Sequence, residues 1–117
     1  MLGLPHEKTV LIRPEFLNHA GTLFGGNMMM WADDMAYNAA TLLFTSATFV
    51  TKLFGPIDFT TPVALGHIIK IYSHVESRGN TSCKVQVWAI NATTGADVFS
   101  TYAIMVNVRD QQKIPLT

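Results

Sequence analysis

The residues best suited to chemistry lie between positions 18 and 34 of the sequence. A polar loop with Asn18 and Gly21 leads to the pair Gly25-Gly26, and the apolar, helix-favouring stretch that follows carries Asp33. Glycines let backbone N–H groups approach a ligand closely, and the first N–H groups of a helix are free donors at a partly positive end. A carboxylate one to two turns further on could serve as a base beside a carbonyl held by those donors. The segment predicts an acyl-transfer site.

Two adjacent carboxylates follow the glycine pair, and helical geometry separates them. Asp33 and Asp34 point about 100° apart on a helix. Asp34 shares a mostly polar side with Asn27 and Asn38, whereas Asp33 falls at the margin of the apolar side. A carboxylate at such a margin is costly unless it is paired or functional. We therefore predict that Asp33 serves the site, and the alternative is a structural hydrogen bond to backbone or to Tyr37.

Other polar residues give weaker signals. An asparagine in a loop, such as Asn18, is by default a turn residue that caps its own backbone. His19 is a lone loop histidine and is expected to be exposed, and Cys83 is expected to lie in the core. The histidines and the single cysteine show no ligand spacing, so we expect no metal site. No Gly-x-Ser-x-Gly motif occurs, which argues against a serine nucleophile of the α/β-hydrolase kind.

Length and composition bound the remaining possibilities. The 117 residues are enough for one domain, spanning 1–117, with a single core. Charged residues make up 14% of the chain, below the usual share of about 25%, so we expect much of the surface to be buried in an oligomer. The formal net charge of zero predicts no nucleic-acid or membrane partner. A single cysteine, no signal-peptide pattern and no membrane-length apolar run predict a cytoplasmic location.

The order of elements predicts an α+β fold. A short strand over 9–13 precedes a helix from Gly26 or Asn27 to about Phe44. Strand-like segments then follow largely through tight turns, which favour antiparallel neighbours, so that one long helix should pack against one antiparallel sheet that curls around it. The segments after the helix are 47–54, the extended 57–61, 67–77, 81–91 and 98–108. In the segment 81–91, Cys83 and Val85 belong to the apolar face and Lys84 to the polar face.

The segment from Asn18 to Gly26 (NHAGTLFGG), followed by Asp33, resembles the signature of acyl-CoA thioesterases of the hotdog superfamily. Weaker matches occur at 58–66 and 78–82, and the resemblance covers roughly 8–110. It implies the hotdog fold, in which a curved antiparallel β-sheet wraps around one long central helix. It also implies hydrolysis of an acyl-CoA to a free carboxylic acid and coenzyme A.

The resemblance also implies roles for particular residues. Asp33 would be a general base or a nucleophile, and Asn18 would orient water or the thioester. Backbone N–H groups near Gly25 and Gly26 would form the oxyanion hole. The turn that would hold coenzyme A is formed by Arg78, Gly79, Thr81 and Ser82. For Arg78 a solvated charge is an equal alternative.

The low share of charged residues predicts a homodimer, or a higher even-numbered oligomer such as a tetramer or hexamer. The resemblance implies that each site takes Asn18 and Asp33 from different subunits of a dimer. No cofactor is expected, because coenzyme A enters as part of the substrate. Two alternatives share the fold: a hotdog protein that binds acyl-CoA without turnover, and a hydratase or dehydratase. The latter chemistry usually uses a histidine, and the predicted helix contains none.

Overall fold

One long helix and an antiparallel sheet make up the computed structural model, which describes residues 2–117. The predicted helix is confirmed as α1 (Gly25–Leu43), and a single 3₁₀ turn (Pro14–Phe16) precedes it. The strands are β1 (Leu2–Leu11), β2 (Phe49–Phe54), β3 (Asp58–Phe59), β4 (Ile68–Arg78), β5 (Ser82–Asn91), β6 (Asp97–Arg109) and β7 (Gln112–Lys113). The first strand is longer than predicted because it begins at Leu2 and pairs with β4 over most of its length.

The strand order of the sheet is β1-β4-β5-β6-β2, and every pairing is antiparallel. The neighbours β4, β5 and β6 follow one another through tight turns, as the sequence predicts. Strand β2 differs, because it pairs with β6 at the far side of the sheet and not with the next long strand, β4. The connection from β2 to β4 contains Pro56 and Pro62 and the short β3, which also pairs with β6. A connection of that length crosses the sheet and does not form a hairpin.

The core lies between the helix and one face of the sheet. Buried helix residues recur at helical spacing, and four alanines among them let the backbone approach the strands closely. The buried residues of α1 are Met28, Trp31, Ala32, Met35, Ala36, Ala39 and Ala40. In β5 the predicted faces are confirmed, since Cys83 and Val85 are buried while Lys84 is partly exposed. Ser73 of β4 adds a buried link to the helix, because its hydroxyl donates to the Met35 carbonyl at 2.8 Å.

The sheet does not close on itself. Strand β1 forms one edge, and β2 and β3 lie at the other. Within residues 2–117, no helix has both the length and the apolar character needed to cross a membrane.

Candidate functional site

The start of the helix presents free backbone donors. Gly25 is the first residue of α1, and Phe24 precedes it in an extended conformation. None of the side chains that the structure describes caps this end by a hydrogen bond. The N–H groups of Asn27 and Met28 donate to the Phe24 carbonyl, so the free donors of the first turn are those of Gly25 and Gly26. The Phe24 ring packs over Gly26 so closely that a Cβ at position 26 would lie 2.5 Å from the ring. A side chain at position 26 would therefore displace the exposed Phe24 ring.

A pocket of about 300 Å³ opens beside these donors. Gly25 forms part of its wall, and the remaining wall is mostly apolar. The other lining residues are Thr22, Leu23, Met28, Phe59, Thr61, Pro62, Val63 and Val98. A pocket of this size can hold a small apolar group next to the helix N-terminus.

Asp33 is exposed on α1 and is held by a residue from the sheet. The Thr51 hydroxyl of β2 donates to the Asp33 carboxylate at 2.6 Å. This contact replaces the alternative hydrogen bond to backbone or Tyr37. The sequence contains no signal for Thr51, because its position opposite the helix depends on the pairing of β2 with β6. Asp34 is exposed as well and makes no hydrogen bond or ion pair within the described part of the chain.

Gly26 and Asp33 lie on one face of the helix but not at one point. They are seven residues apart, which corresponds to about 10 Å along the helix axis at 1.5 Å per residue. Met30 and Tyr37 share this face at the same helical spacing, and they are 54% and 46% exposed. A single water molecule cannot contact both the Asp33 carboxylate and a carbonyl at Gly26. Within a single chain, the N–H donors at the helix start are therefore too far from the Asp33 carboxylate for both to act on one thioester and one water molecule.

Asn18 is bound up in its own loop. Its Oδ1 accepts hydrogen bonds from the backbone N–H groups of Ala20 and Thr22 at 2.9 and 3.1 Å. Its amide also donates to the Thr22 hydroxyl at 3.1 Å. Asn27 fixes this loop to the helix start by donating to the Phe16 carbonyl at 3.2 Å. Asn18 thus acts as the turn residue that its position favours, and one of its two amide hydrogens is left for another acceptor.

The turn at 78–82 lies at the opposite end of the helix. Arg78 donates to the Leu116 carbonyl at 3.0 Å, and its guanidinium stands 5.1 Å from the centre of the Phe44 ring. Phe44 directly follows the last residue of α1, so about 28 Å along the helix axis separates it from Gly25. Within one chain, the turn formed by Arg78, Gly79, Thr81 and Ser82 does not meet the helix start.

The four histidines lie away from the pocket. His19 is exposed in the loop, as expected, and His6 lies on β1. His67 and His74 belong to the sheet region, where the Nδ1 of His67 is 3.0 Å from the Asn91 amide. None of these four lines the pocket at the helix start.

Comparison with known families decides how this arrangement is classified. Residues 20–97, two thirds of the sequence, match the model of the Thioesterase superfamily. The chain belongs to the thioesterase superfamily. No curated protein matches it significantly. The pairing of one helix with a wide antiparallel sheet in this thioesterase-superfamily member confirms the hotdog fold that the resemblance implies.

Solved structures similar to this superfamily member include several named hydrolases. An acyl-CoA hydrolase from Staphylococcus aureus, in complex with butyryl coenzyme A, coenzyme A and coenzyme A disulfide, has a TM-score of 0.86 and 25% identity over 96% of this chain and 68% of its own. An acyl-CoA hydrolase from Agrobacterium tumefaciens has a TM-score of 0.79 and 26% identity over 94% of this chain and 45% of its own. The PaaI protein of E. coli shares the fold, with a TM-score of 0.81 and 17% identity over 90% and 73% of the two chains.

Proposed function

We propose that this protein is an acyl-CoA thioesterase, which hydrolyses an acyl-CoA to the free carboxylic acid and coenzyme A. The observation that carries the proposal is the uncapped start of α1, which opens onto an apolar pocket of about 300 Å³. Oriented N–H donors suit the oxyanion of a thioester under attack, and the pocket suits the hydrocarbon of the acyl group.

The proposed reaction uses Asp33 as a general base. The thioester oxygen accepts hydrogen bonds from backbone N–H groups at Gly25 and Gly26 while water attacks the carbonyl carbon. Asp33 takes the proton from that water, and Thr51 holds the carboxylate in position. As the tetrahedral intermediate collapses, the C–S bond breaks and the proton passes to the departing sulfur, which gives the acid and the free thiol of coenzyme A.

In this proposal, a second copy of the chain places its Asp33 close to the helix start of the first copy. On two antiparallel helices related by a two-fold axis near positions 29 and 30, Gly26 of one copy faces Asp33 of the other. Packed helix axes lie about 8–10 Å apart, which long and medium side chains can bridge. Asn18 lies in the loop before Gly26, so its remaining amide hydrogen would serve the same site as Gly26 and the partner's carboxylate. The proposed unit is therefore a homodimer.

The exposed surface around Asp33 supports this assembly. Met30 and Tyr37 flank the carboxylate on the helix, and β2 beside it exposes Val50 and Leu53. Strand β2 is also an edge of the sheet, and an exposed edge can pair with the same edge of a second copy. Pairing of these surfaces would bury apolar side chains and enclose Asp33 between two subunits. It would also bring the 78–82 turn of one copy closer to the helix start of the other.

The S. aureus acyl-CoA hydrolase gives independent support for the residue set. Its solved variants replace an aspartate, an asparagine and a threonine by alanine, and the aspartate lies 15 positions after the asparagine. Asp33 lies 15 positions after Asn18 here. The threonine of that enzyme lies 17 positions after its aspartate, and Thr51 lies 18 positions after Asp33. The same three residue types recur at nearly the same spacing.

A panel of acyl-CoA substrates with thiol detection tests the proposal, with Asp34→Asn as the matched control for Asp33→Asn. We expect Asp33→Asn to lower turnover by roughly 100- to 10,000-fold, because asparagine keeps the shape of the residue but accepts no proton from water. Asp34→Asn should keep most of the activity. Tight binding of acyl-CoA by the wild type without any release of thiol would contradict the proposal and identify a binding protein. Equal losses in both variants would contradict the role of Asp33.

A further inference from the structure

The pocket at the helix start has walls of two kinds. Met28 of α1, Val98 of β6 and Val63 of the connection between β3 and β4 are buried, with at most 2% of each residue exposed. They form a fixed base, since close-packed interiors resist displacement. Phe59 is different, because its side chain is 52% exposed although it lines the same pocket.

Phe59 belongs to β3, a strand of two residues that lies between Pro56 and Pro62. Successive strand residues point to opposite sides, which agrees with Phe59 lining this pocket while Asp58 lines a separate hollow on the other side. The ring stands edge-on to Phe99, with centres 5.2 Å apart. Its Cζ lies 3.4 Å from the place where a Cβ on Gly25 would sit. The ring therefore forms a side wall from the helix start to the sheet.

From these contacts we infer that Phe59 sets the size of the acyl group, and that the substrates are medium-chain acyl-CoAs with acyl groups of about six to ten carbons. This inference rests on the proposed thioesterase function. One water-sized group fills about 30 Å³, and a methylene is of similar size, so a pocket of about 300 Å³ takes about ten such groups. A chain of sixteen carbons exceeds this volume, so its end would extend out of the open side of the pocket.

The wall also determines how rate depends on chain length. Each methylene buried in the pocket is worth about 0.8 kcal/mol, or about fourfold in kcat/KM when that binding is retained in the transition state. Wild-type kcat/KM should therefore rise up to about eight carbons and fall beyond ten. Removal of the Phe59 ring frees the space of six carbon atoms, so the best substrate should become longer by about four carbons.

The test compares Phe59→Ala with Phe24→Ala across straight-chain acyl-CoAs from four to sixteen carbons. Phe24 is the matched control, because it is the same residue type, is 53% exposed and packs at the helix start without lining the pocket. In Phe59→Ala, the ratio of kcat/KM for dodecanoyl-CoA to that for octanoyl-CoA should rise at least tenfold. In Phe24→Ala that ratio should stay as in the wild type, whatever the overall rate. Phe59→Leu keeps an apolar wall and should give an intermediate shift, which preserves the test if the alanine variant unfolds.

The outcomes separate this inference from the function on which it rests. A wild type that hydrolyses no member of the series would overturn the thioesterase function itself. Hydrolysis with the same chain-length profile in the wild type and in folded Phe59 variants would overturn only the role of Phe59. Fastest hydrolysis of palmitoyl-CoA by the wild type would overturn the assignment to medium chains.

Discussion

Removal of the Thr51 hydroxyl tests whether the contact with Asp33 matters for turnover. Valine has nearly the shape of threonine and is equally suited to a strand, so Thr51→Val should leave β2 in place. The lost interaction is one hydrogen bond to a carboxylate, with a donor–acceptor distance of 2.6 Å. Such bonds to charged groups contribute about 1.5–3 kcal/mol, and the exposure of Asp33 points to the lower end. Because about 1.4 kcal/mol corresponds to a factor of ten, kcat should fall about tenfold.

Steady-state kinetics with octanoyl-CoA measure this effect, and Thr51→Ser is the matched control because it keeps the hydroxyl. We expect kcat to fall in Thr51→Val and to recover largely in Thr51→Ser. KM should change little, because Thr51 contacts the carboxylate and does not line the pocket. Thermal melting of both variants shows whether the fold is retained. Wild-type kcat in Thr51→Val, or an equal loss in both variants, would refute the reasoning.

Three further predictions concern the assembly, the core and the packing of a glycine. If each site combines Asn18 and Asp33 of different subunits, mixing equal amounts of Asn18→Ala and Asp33→Asn protein under subunit exchange should restore about a quarter of wild-type activity. Half of the dimers would then be hybrids, and each hybrid has one intact site out of two. No recovery of activity would contradict the shared site. Burial raises the pKa of Cys83 from its ordinary value of 9.0 to about 11, so the thiol ionises first in the unfolded chain and stability against urea should fall as pH rises from about 9 to about 11. Cys83→Ala should reduce that fall, and an identical pH dependence in the variant would argue against it. A Cβ on Gly55 would overlap the Tyr102 ring, so Gly55→Ala should lower the free energy of unfolding by about 1–3 kcal/mol. An unchanged urea midpoint would show that the ring moves aside freely.

Local patterns account for the parts of the fold that the sequence predicts. The helical spacing of apolar residues from Met28 to Ala39 predicts the buried side of α1. The alternation around Val85 similarly predicts the two faces of β5. Both patterns indicate which side of one element faces the core, and this side follows from the spacing of side chains within that element alone.

Long-range pairing explains what the sequence does not predict. The position of β2 beside β6 depends on a connection that crosses the sheet, and no local pattern encodes that choice. Thr51 follows from the same choice, since only the pairing of β2 brings its hydroxyl to Asp33. The loop containing Asn18 is intermediate, because its turn role is a local property whereas its place beside the helix start requires the Asn27 contact.

Gly26 and Asp33 lie about 10 Å apart along a single helix, so an isolated chain would lack a complete site. If the two halves of each site come from separate copies, a newly synthesised chain folds before it can hydrolyse anything. It becomes an enzyme only on meeting another, so that at low abundance the rate of thioester hydrolysis rises with the square of the number of chains. The amount of protein made would then control the activity more steeply than in proportion.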